Sequence, residues 1–577
     1  MNTFADTVFA HAQEQPNARA CAFVDESGTE KAVLTYGALH RRAVTVATHL
    51  QATCQPGDRA ILLFPPGLDV VAAYLGCLYA GVIAVPVNPP RRGRVRTATP
   101  GVVADCRPAA VLTVQAVTAA AATALGNNVP AGVRWIEVDA LSDVERPDAA
   151  PYPSAPDSVA LLQYTSGSTA VPKGVMVTHG NLVANQEMIR RAFGHGRDSI
   201  VVGWVPHFHD QGLIGNIMQP LHLGSSCVLM SPMTFLRRPL LWLTVVSRYR
   251  AHTSGGPNFA FDACAERVRP GDLDGLDLSC WEVAFNGAEP VRPATLRRFA
   301  DTLAPAGFRA SALFPCYGLA ESTLLVTGSG KARGPLTATV DAAELGRGRW
   351  VPTAAEGGRV LAGSGAPAPG VTVRIVDPDT GATCPDGTVG EIRVAGPNVT
   401  AGYWERPDAT EATYVRDDDG VRYLRTGDLG VLADGELYAV GRIKDVIVVR
   451  GRNIYPQDVE LTAELAHPAV RAGFGAAFAT HTGDGSEGVV LLVEVDRSYR
   501  GSEAELAQAV RQAVTRGHDI ALVALVLVTA GQIPRTSSGK IRRAEAARLH
   551  ATDALRRWTA AAPRQAVGAR ADAAGQA

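Results

Sequence analysis

Residues 160–175 read ALLQYTSGSTAVPKGV, and this segment says more about the protein than any other. A short apolar run predicts a buried strand, which leads into a loop of small residues and hydroxyls that ends at Lys173. In such a loop glycine lets backbone N–H groups approach an anion, hydroxyls donate hydrogen bonds to it, and lysine supplies positive charge. The loop suits a polyphosphate, although it lacks the Gly-x4-Gly-Lys-Ser/Thr spacing of a Walker A motif. Taken alone, a Ser/Gly loop is more often a flexible surface turn.

Two segments further along the chain offer groups for a base and a metal ion. They are NGAEP (286–290) and PCYGLAES (315–322). Tyr317 offers a flat ring against which a base can lie, and Glu321 offers a hard oxygen ligand of the kind that Mg²⁺ takes at ATP sites. In isolation, a strand–turn–helix junction with a capping glutamate explains the second segment better.

Three more segments lie in the last third of the chain. In YLRTGDLG (423–430), Asp428 has the usual setting of a turn residue, but its carboxylate can also accept hydrogen bonds from both ribose hydroxyls. The other two are GRIKDVI (441–447), which leads into RGRNIYPQDVE (450–460), and IPRTSSGKIRR (533–543). A basic Gly/Ser turn of the last kind is ordinarily solvated surface.

Length and composition restrict the class of protein. A chain of 577 residues is too long for one core, so two to four domains or lobes are expected. The hydrophobic fraction of 46% is ordinary for a soluble globular protein, and the charged fraction of 19% is a little low. A formal net charge of -1 argues against a dedicated nucleic-acid binder, which needs a basic surface.

Cysteine usage and hydropathy predict a cytoplasmic protein without a membrane span. The nine cysteines form no Cys-x-x-Cys pair and sit singly among apolar residues, which favours buried reduced thiols. Residues 70–87 carry no charge and approach the length of a membrane span. Gly76, Gly81 and Pro86 interrupt them, so we interpret the segment as a buried helix up to Ala80 followed by a buried strand over 82–87.

The pattern of elements changes along the chain. Up to about residue 360, short apolar runs alternate with helical patterns, which indicates parallel or mixed sheets covered by helices. Closely spaced strands with Pro/Gly/Asp turns then indicate a smaller β-rich lobe, with strands near 371–376, 390–394, 436–440 and 446–449. From Asp458 an α+β pattern returns, and the Ala/Arg-rich residues 540–557 predict a helix. Residues 559–577 are of low complexity and predict a disordered tail.

The five segments together, in this order and approximate spacing, resemble the core motifs of the adenylate-forming superfamily. This superfamily includes acyl-CoA synthetases, the adenylation domains of peptide synthetases and luciferases, and the resemblance runs from about residue 5 to about 550. It implies an α/β fold of several subdomains. A large N-terminal domain, 1–441, would consist of two α/β lobes and a β-rich lobe. A small, mobile α+β domain would follow at 442–558, with a hinge at 442–445.

The resemblance also implies a role for each matching residue. The loop would embrace the ATP phosphates with Thr165, Ser166, Gly167, Ser168, Thr169 and Lys173. The adenine would lie among Gly287, Ala288, Glu289, Cys316, Tyr317, Gly318 and Leu319. Glu321, with Thr165, would hold Mg²⁺; Asp428 would bind the ribose hydroxyls, and Arg442 the ribose or phosphate. Lys444 would be the hinge residue and Lys540 the catalytic lysine, which also contacts the nucleotide. His209 would lie near the acyl carboxylate, although a structural histidine is nearly as good an interpretation.

Within the superfamily, several segments resemble the fatty acyl-AMP ligases. They are WVPHFHDQGLIG (204–215), SGGPNFA (254–260), FNGAEPVR (285–292) and RGRNIYPQD (450–458). Residues 328–362 also lengthen the connection between the motif that contains Glu321 and the next predicted strand. The fatty acyl-AMP ligases have an insertion at this place, and in them it disfavours attack by CoA. A long surface loop is the alternative interpretation of this segment.

The implied activity is ATP-dependent conversion of a fatty acid to its acyl adenylate with release of pyrophosphate. The acyl group would then pass to the phosphopantetheine thiol of a holo acyl carrier protein or carrier domain, in polyketide, peptide or lipid biosynthesis. The carrier is expected to be a separate protein. A monomer is expected. The alternatives are a CoA ligase of a fatty or aryl acid, and an inactive binding scaffold.

Overall fold

The protein is described here by a computed structural model that covers residues 3–89, 98–130, 132–142, 144, 149–164, 172–355, 357–481, 487–536 and 539–559. The chain divides into two units, Met1–Lys444 and Asp445–Ala577. The predicted tail, 559–577, lies outside the described residues except for its first residue.

The first unit contains strands and helices in alternation. Its strands are β1 (Arg19–Val24), β2 (Glu30–Thr35), β3 (Arg59–Leu62), β4 (Ile83–Pro86), β5 (Ala110–Thr113), β6 (Arg134–Glu137), β7 (Val159–Tyr164), β8 (Gly174–Thr178), β9 (Val201–Gly203), β10 (Cys227–Met230), β11 (Thr253–Gly256), β12 (Val283–Asn286), β13 (Leu313–Gly318), β14 (Leu325–Gly328), β15 (Thr337–Val340), β16 (Arg359–Ala362), β17 (Ala366–Pro367), β18 (Thr372–Val376), β19 (Gly390–Ala395), β20 (Tyr414–Arg416), β21 (Arg422–Ala433) and β22 (Glu436–Arg442). Its helices are α1 (Phe4–Glu14), α2 (Tyr36–Gln51), α3 (Asp69–Ala80), α4 (Ala98–Cys106), α5 (Gln115–Leu125), α6 (His179–Phe193), α7 (Gln219–Leu223), α8 (Pro232–Arg237), α9 (Pro239–Arg248), α10 (Asn258–Ala265), α11 (Pro293–Leu303), α12 (Ala342–Gly346) and α13 (Pro407–Thr413).

Three larger sheets organise this unit. One has nine strands in the order β17-β14-β13-β12-β11-β9-β10-β1-β2, and a second has six in the order β6-β5-β3-β4-β7-β8. Both are parallel in the middle and antiparallel at an edge. The third is antiparallel, with the order β18-β19-β21-β20 and β22 paired to β21. The predicted two α/β lobes and a β-rich lobe are therefore confirmed.

The parallel strands of the nine-stranded sheet bring several loops to one edge. Strands β9, β11, β12 and β13 are neighbours and run in the same direction. In open α/β sheets ligands bind outside the carboxyl ends of the strands. The loops that follow these four strands contain the segments that the sequence singled out, so the topology gathers them at one edge.

The uncharged stretch at 70–87 folds as predicted. Helix α3 is buried along almost its whole length and ends at Gly81, which adopts a left-handed conformation with φ of 72°. Strand β4 follows at once and is fully buried. Among the described residues, no helix combines the length and apolar character needed to cross a bilayer. All nine cysteines are unpaired, and six are buried.

The long segment 328–362 is a folded element rather than an irregular loop. Strands β15 and β16 pair antiparallel within it, and α12 lies between them. At its beginning, Lys331 pairs with Glu282 at 2.5 Å. Further along, the Trp350 ring lies 4.6 Å from that of Tyr438 on β22, between ring centroids. The segment is thus attached both to the nine-stranded lobe and to the strand that ends at Arg442.

The second unit is built on a three-stranded sheet. Its elements are β23 (Ile447–Val449), β24 (Arg452–Ile454), α14 (Pro456–Ala466), β25 (Val470–His481), β26 (Glu487–Val495), α15 (Glu503–His518), β27 (Leu522–Val528) and α16 (Arg543–Ala551). Alternate residues of β26 enter two different cores: Val489, Leu491 and Val493 pack with α14 and α15, whereas Val490 and Leu492 pack with α16. This two-sided burial explains the continuous apolar run in its sequence.

Two expectations for this part of the chain need correction. The helix predicted over 540–557 is shorter, because α16 begins only at Arg543 and ends at Ala551, where Thr552 and Asp553 turn the chain. The strand predicted near 446–449 forms a hairpin with β24 and belongs to the second unit, not to the β-rich lobe.

Candidate active site

Tyr317, Asp428 and Arg442 form one hydrogen-bonded cluster. The Tyr317 hydroxyl donates to Oδ2 of Asp428 at 2.8 Å, and Nε of Arg442 donates to Oδ1 at 2.7 Å. Asp428 and Arg442 are direct cross-strand partners on β21 and β22, so sheet pairing fixes their separation. Burial raises the pKa of the Tyr317 hydroxyl well above its usual value, and the charge of Asp428 adds to the rise. Tyr317 therefore stays a hydrogen-bond donor.

A second cluster links Lys173 to Glu321 through Tyr403. The Tyr403 hydroxyl donates to Oε1 of Glu321 at 3.0 Å, and Nζ of Lys173 lies 5.1 Å from the centroid of the Tyr403 ring. Burial raises the pKa of Glu321, and the hydrogen bond from Tyr403 opposes that rise. The second carboxylate oxygen of Glu321, Oε2, accepts no hydrogen bond from any other residue in the described part of the chain. A partly buried carboxylate with one oxygen available is suited to a hard cation.

The two clusters adjoin because Tyr317, near the end of β13, is close in the chain to Glu321, which lies in the tight connection from β13 to β14. A Cβ on Gly318 would lie 1.7 Å from the Leu324 carbonyl oxygen, so only glycine permits this close approach. Thr323 has φ of 66° although it is β-branched, and its hydroxyl donates to the Asn398 carbonyl at 2.7 Å. Strained backbone of this kind persists where neighbouring contacts enforce it.

The residues predicted for the adenine slot come together from two adjacent strands. Gly287 follows β12 and packs on Cys316 of β13, since a Cβ at Gly287 would lie 2.9 Å from the Cys316 carbonyl oxygen. Ala288 is exposed and has φ of 70°. Glu289 uses its carboxylate to accept hydrogen bonds from the backbone and side chain of Asn258, at 2.9 and 3.0 Å. Leu319 lies in the same β13–β14 connection.

The phosphate loop itself, Thr165, Ser166, Gly167, Ser168 and Thr169, lies outside the described residues, but both of its ends are described. Tyr164 precedes it and donates from its hydroxyl to Asp105 at 2.6 Å. Asp105 also pairs with Arg406 at 2.5 Å. On the other side, the ring of Tyr164 packs against Gly174, next to Lys173. Both ends of the loop are therefore anchored to the same lobe.

His209 lies in the loop that joins β9 to a π-helical segment, Gln211–Met218. Asp210 begins that segment, and its carboxylate accepts from the Gln211 N–H at 2.7 Å. Gln163, at the end of β7, donates to the Phe208 carbonyl at 3.0 Å. This contact brings the His209 loop beside the end of β7, the strand that precedes the phosphate loop in the chain. π-Helical turns are frequent at functional sites.

Lys540 lies in the second unit, and Lys444 is the last residue of the first. The Lys540 side chain is exposed, and the Lys540 carbonyl accepts a hydrogen bond from the Thr536 N–H at 2.8 Å. Lys444 is exposed in a short 3-10 turn, Ile443–Asp445, directly after β22. The division between the units thus falls within the residues predicted as a hinge.

Three side chains that contact the predicted site were missed by the sequence analysis: Tyr403, Asp105 and Asn258. Each lies outside the five core segments and contacts one of them from a distant part of the chain. Asn258 falls within 254–260, which was quoted above for its resemblance, but no role was assigned to it. A single tyrosine, aspartate or asparagine has no spacing pattern of its own, so the sequence contains no signal for such a contact.

Together, the first unit provides a ring and a carboxylate suited to a nucleoside, and a lysine and a carboxylate suited to a polyphosphate and its cation. A model of the AMP-binding enzyme family matches residues 8–404. A model described as Disco-interacting protein 2-like, AMP domain, matches residues 444–559. The chain belongs to the AMP-binding enzyme family.

Individual relatives show which enzymes of this family the chain resembles. The chain is 41% identical to the medium-chain-fatty-acid–[acyl-carrier-protein] ligase JamA of Moorena producens, over 97% of each chain. It is 38% identical to the long-chain-fatty-acid–AMP ligase FadD26 of Mycobacterium marinum, over 95% of this chain and 97% of that one. Its fold matches a fatty acyl-adenylate ligase from L. pneumophila, solved with acyl adenylate and pyrophosphate, with a TM-score of 0.75 and 38% identity over 96% of each chain.

Proposed function

We propose that this protein activates a fatty acid with ATP as the acyl adenylate, releases pyrophosphate, and passes the acyl group to the phosphopantetheine thiol of a separate acyl carrier protein. One observation carries the proposal. Tyr317 lies near the end of β13 and Glu321 lies in the connection that follows it, so a cluster suited to a nucleoside adjoins a cluster suited to a polyphosphate and its cation.

The nucleoside would be held by the first cluster. Each carboxylate oxygen has two lone pairs, so Asp428 can accept from both ribose hydroxyls while it keeps its bonds to Tyr317 and Arg442. The Tyr317 ring and residues 287–289 would enclose the adenine. Lys173 and the hydroxyls of the preceding loop would hold the phosphates, with Arg442 contributing charge near the ribose.

Glu321 fits the role of a Mg²⁺ ligand, because its Oε2 accepts no bond from another described residue and its surroundings disfavour a bare negative charge. We assign Thr165 as a second ligand on the basis of the sequence alone. When bound with ATP, Mg²⁺ would offset the negative charge of the phosphates.

The chemical difficulty is that a carboxylate anion must attack a phosphorus surrounded by negative charge. One carboxylate oxygen forms a bond to the α-phosphorus, and the bond from that phosphorus to the bridging oxygen of pyrophosphate breaks. Positioning and positive charge supply most of the catalysis in such a transfer. We assign Lys173 to the leaving pyrophosphate, Lys540 to the reacting carboxylate and phosphate, and His209 to the neighbourhood of the acyl carboxylate.

The second step transfers the acyl group from AMP to sulfur. The carrier thiol attacks the acyl carbonyl carbon, AMP leaves with the bonding electrons, and the thiol proton is lost to solvent. A carrier protein as acceptor is supported by the similarity to JamA and by the folded segment 328–362, which is attached to the strand leading to the hinge residues. We expect a monomeric cytoplasmic enzyme.

Replacing Lys540 tests the adenylation step. Lys540→Ala should lower fatty-acid-dependent pyrophosphate release by about 10²- to 10³-fold, the usual effect of removing one charge-stabilising group. ATP binding, measured by calorimetry, should change little because the clusters that hold the nucleotide lie in the first unit. Lys31→Ala, at an exposed position on β2, is the matched control. Pyrophosphate release that is unchanged in Lys540→Ala would reject the role.

A further inference from the structure

Tyr403 occupies a special position between two groups of opposite charge. It is 7% exposed, its hydroxyl bonds to Glu321, and its ring carries the ammonium of Lys173. The activity proposed above assigns a role to each of these neighbours but none to the tyrosine itself.

The backbone holds Tyr403 firmly relative to both neighbours. On one side, Tyr403 bridges to Val175 of β8, and the Trp404 N–H donates to the Gly174 carbonyl at 2.8 Å, directly after Lys173. On the other, the backbone N–H and the hydroxyl of Thr400 both donate to the Glu321 carbonyl, each at 3.0 Å. The segment 400–404 therefore joins the strand after the phosphate loop to the turn that bears Glu321.

A lysine and a carboxylate in a partly buried site attract each other strongly, because the local dielectric constant is low. A direct ion pair would neutralise both, leaving neither charge available for a nucleotide and its cation. Lys173 and Glu321, which are both described, make no such pair. Lys173 lies over an aromatic face instead, a weaker contact that a phosphate can displace.

We propose that Tyr403 is a positioning residue that keeps Lys173 and Glu321 apart: its ring holds the lysine for the phosphates, and its hydroxyl orients the carboxylate for the cation. The inference rests on the function proposed above for those two residues. It predicts that the hydroxyl and the ring have separable effects, on cation binding and on nucleotide binding respectively.

Two substitutions separate these effects. Tyr403→Phe removes only the hydroxyl, whereas Tyr403→Leu removes the hydroxyl and the aromatic face. Tyr423→Phe is the matched control, because Tyr423 is 1% exposed in the same lobe and its hydroxyl bonds to Asp419, away from both neighbours. Two binding constants are measured for each variant: Mn²⁺ binding in the presence of a non-hydrolysable ATP analogue, from the electron paramagnetic resonance of unbound Mn²⁺, and ATP binding in EDTA, by calorimetry.

Tyr403→Phe should weaken Mn²⁺ binding about tenfold, since a hydrogen bond to a charged group is lost, and leave metal-free ATP binding within about twofold. Tyr403→Leu should weaken both, because Lys173 can then pair directly with Glu321. Adding Glu321→Gln to Tyr403→Leu should restore metal-free ATP binding but not Mn²⁺ binding. A loss due only to disturbed folding would not be restored by a second substitution.

Two results would overturn the proposal: unchanged Mn²⁺ binding in Tyr403→Phe, or weakened metal-free ATP binding in Tyr403→Leu that Glu321→Gln fails to restore. If Tyr403→Leu does not fold, Tyr403→Phe still decides the first point because it keeps the ring. Failure of the proposed function is recognised separately, as an absence of fatty-acid-dependent pyrophosphate release by the wild-type protein. Neither binding measurement depends on that release.

Discussion

Replacing Asp428 by Asn changes one charge at the predicted ribose site and little else. Arg442 can only donate, so the Asn carbonyl oxygen must face its Nε, which lies 2.7 Å from Oδ1 of Asp428. The amide NH₂ then faces Tyr317, whose hydroxyl can rotate to accept where it now donates at 2.8 Å. Both contacts survive in altered form, so the fold should persist while a charged acceptor for the ribose is lost.

The size of the effect follows from that single lost acceptor. A hydrogen bond to a charged group contributes about 1.5–3 kcal/mol, which corresponds to about a 10- to 150-fold rise in the KM for ATP. The KM for the fatty acid should stay nearly unchanged. The assay is pyrophosphate release at saturating fatty acid and Mg²⁺ with ATP varied, and thermal unfolding checks that the variant is folded.

Asp434→Asn is the matched control, since Asp434 lies at the turn between the same two strands, far along the ladder from Asp428. Its φ of 52° is a conformation that Asn tolerates. This variant should keep the wild-type KM for ATP. If Asp428→Asn also keeps that KM within about twofold, the error of ordinary assays, the ribose role assigned to the cluster is wrong.

Three further predictions concern other parts of the chain. Gly318→Ala should lower kcat about a hundredfold or prevent folding, because the new Cβ would lie 1.7 Å from the Leu324 carbonyl oxygen and displace Glu321. Gly196→Ala is the control and should retain the wild-type kcat, because no atom lies within 4 Å of its Cβ. Burial lowers the pKa of His195 from 6.5 to about 3, so just below pH 6.5 only the unfolded state binds a proton at this residue. The free energy of unfolding should therefore fall by about 2 kcal/mol as the pH is lowered from 6.5 to 5. Urea unfolding of His195→Gln should lack this pH dependence, whereas His481→Gln, at the surface, should keep it. Trp350→Ala removes the ring contact with Tyr438 and should raise acyl-CoA formation about two- to tenfold relative to acyl-adenylate formation. An unchanged product ratio by mass spectrometry would argue against a role for segment 328–362 in choosing the acceptor.

Much of the fold could be predicted because its signals are local. The buried strands β3, β5, β10 and β26 are runs of apolar, often β-branched residues, and helix α3 ends at a glycine with the left-handed conformation that its position suggests. The second unit shows the limit of such signals. Strand β25 is rich in Gly and Ala and owes its conformation to pairing with β26, so its own residues gave no indication of a strand.

Candidate roles could be assigned from the sequence wherever one residue type in one motif implies a chemistry, as for Tyr317, Glu321 and Asp428. Their mutual contacts could not be predicted, since β12, β13, β21 and β22 are brought together only by the sheets. Glu289 illustrates the difference: its motif suggested the adenine slot, whereas its carboxylate bonds to Asn258, about thirty positions earlier in the chain. Tyr403 could be found only from the structure.

The central claim concerns the acceptor of the acyl group, and a direct competition tests it. The protein is supplied with ATP, Mg²⁺, a fatty acid, CoA and a holo acyl carrier protein together, and the products are identified by mass. The same carrier with its phosphopantetheine-bearing serine replaced by alanine serves as the control for specific transfer. The account predicts acyl adenylate and acylated holo carrier with little acyl-CoA. Efficient acyl-CoA formation, with the carrier left unmodified, would contradict it.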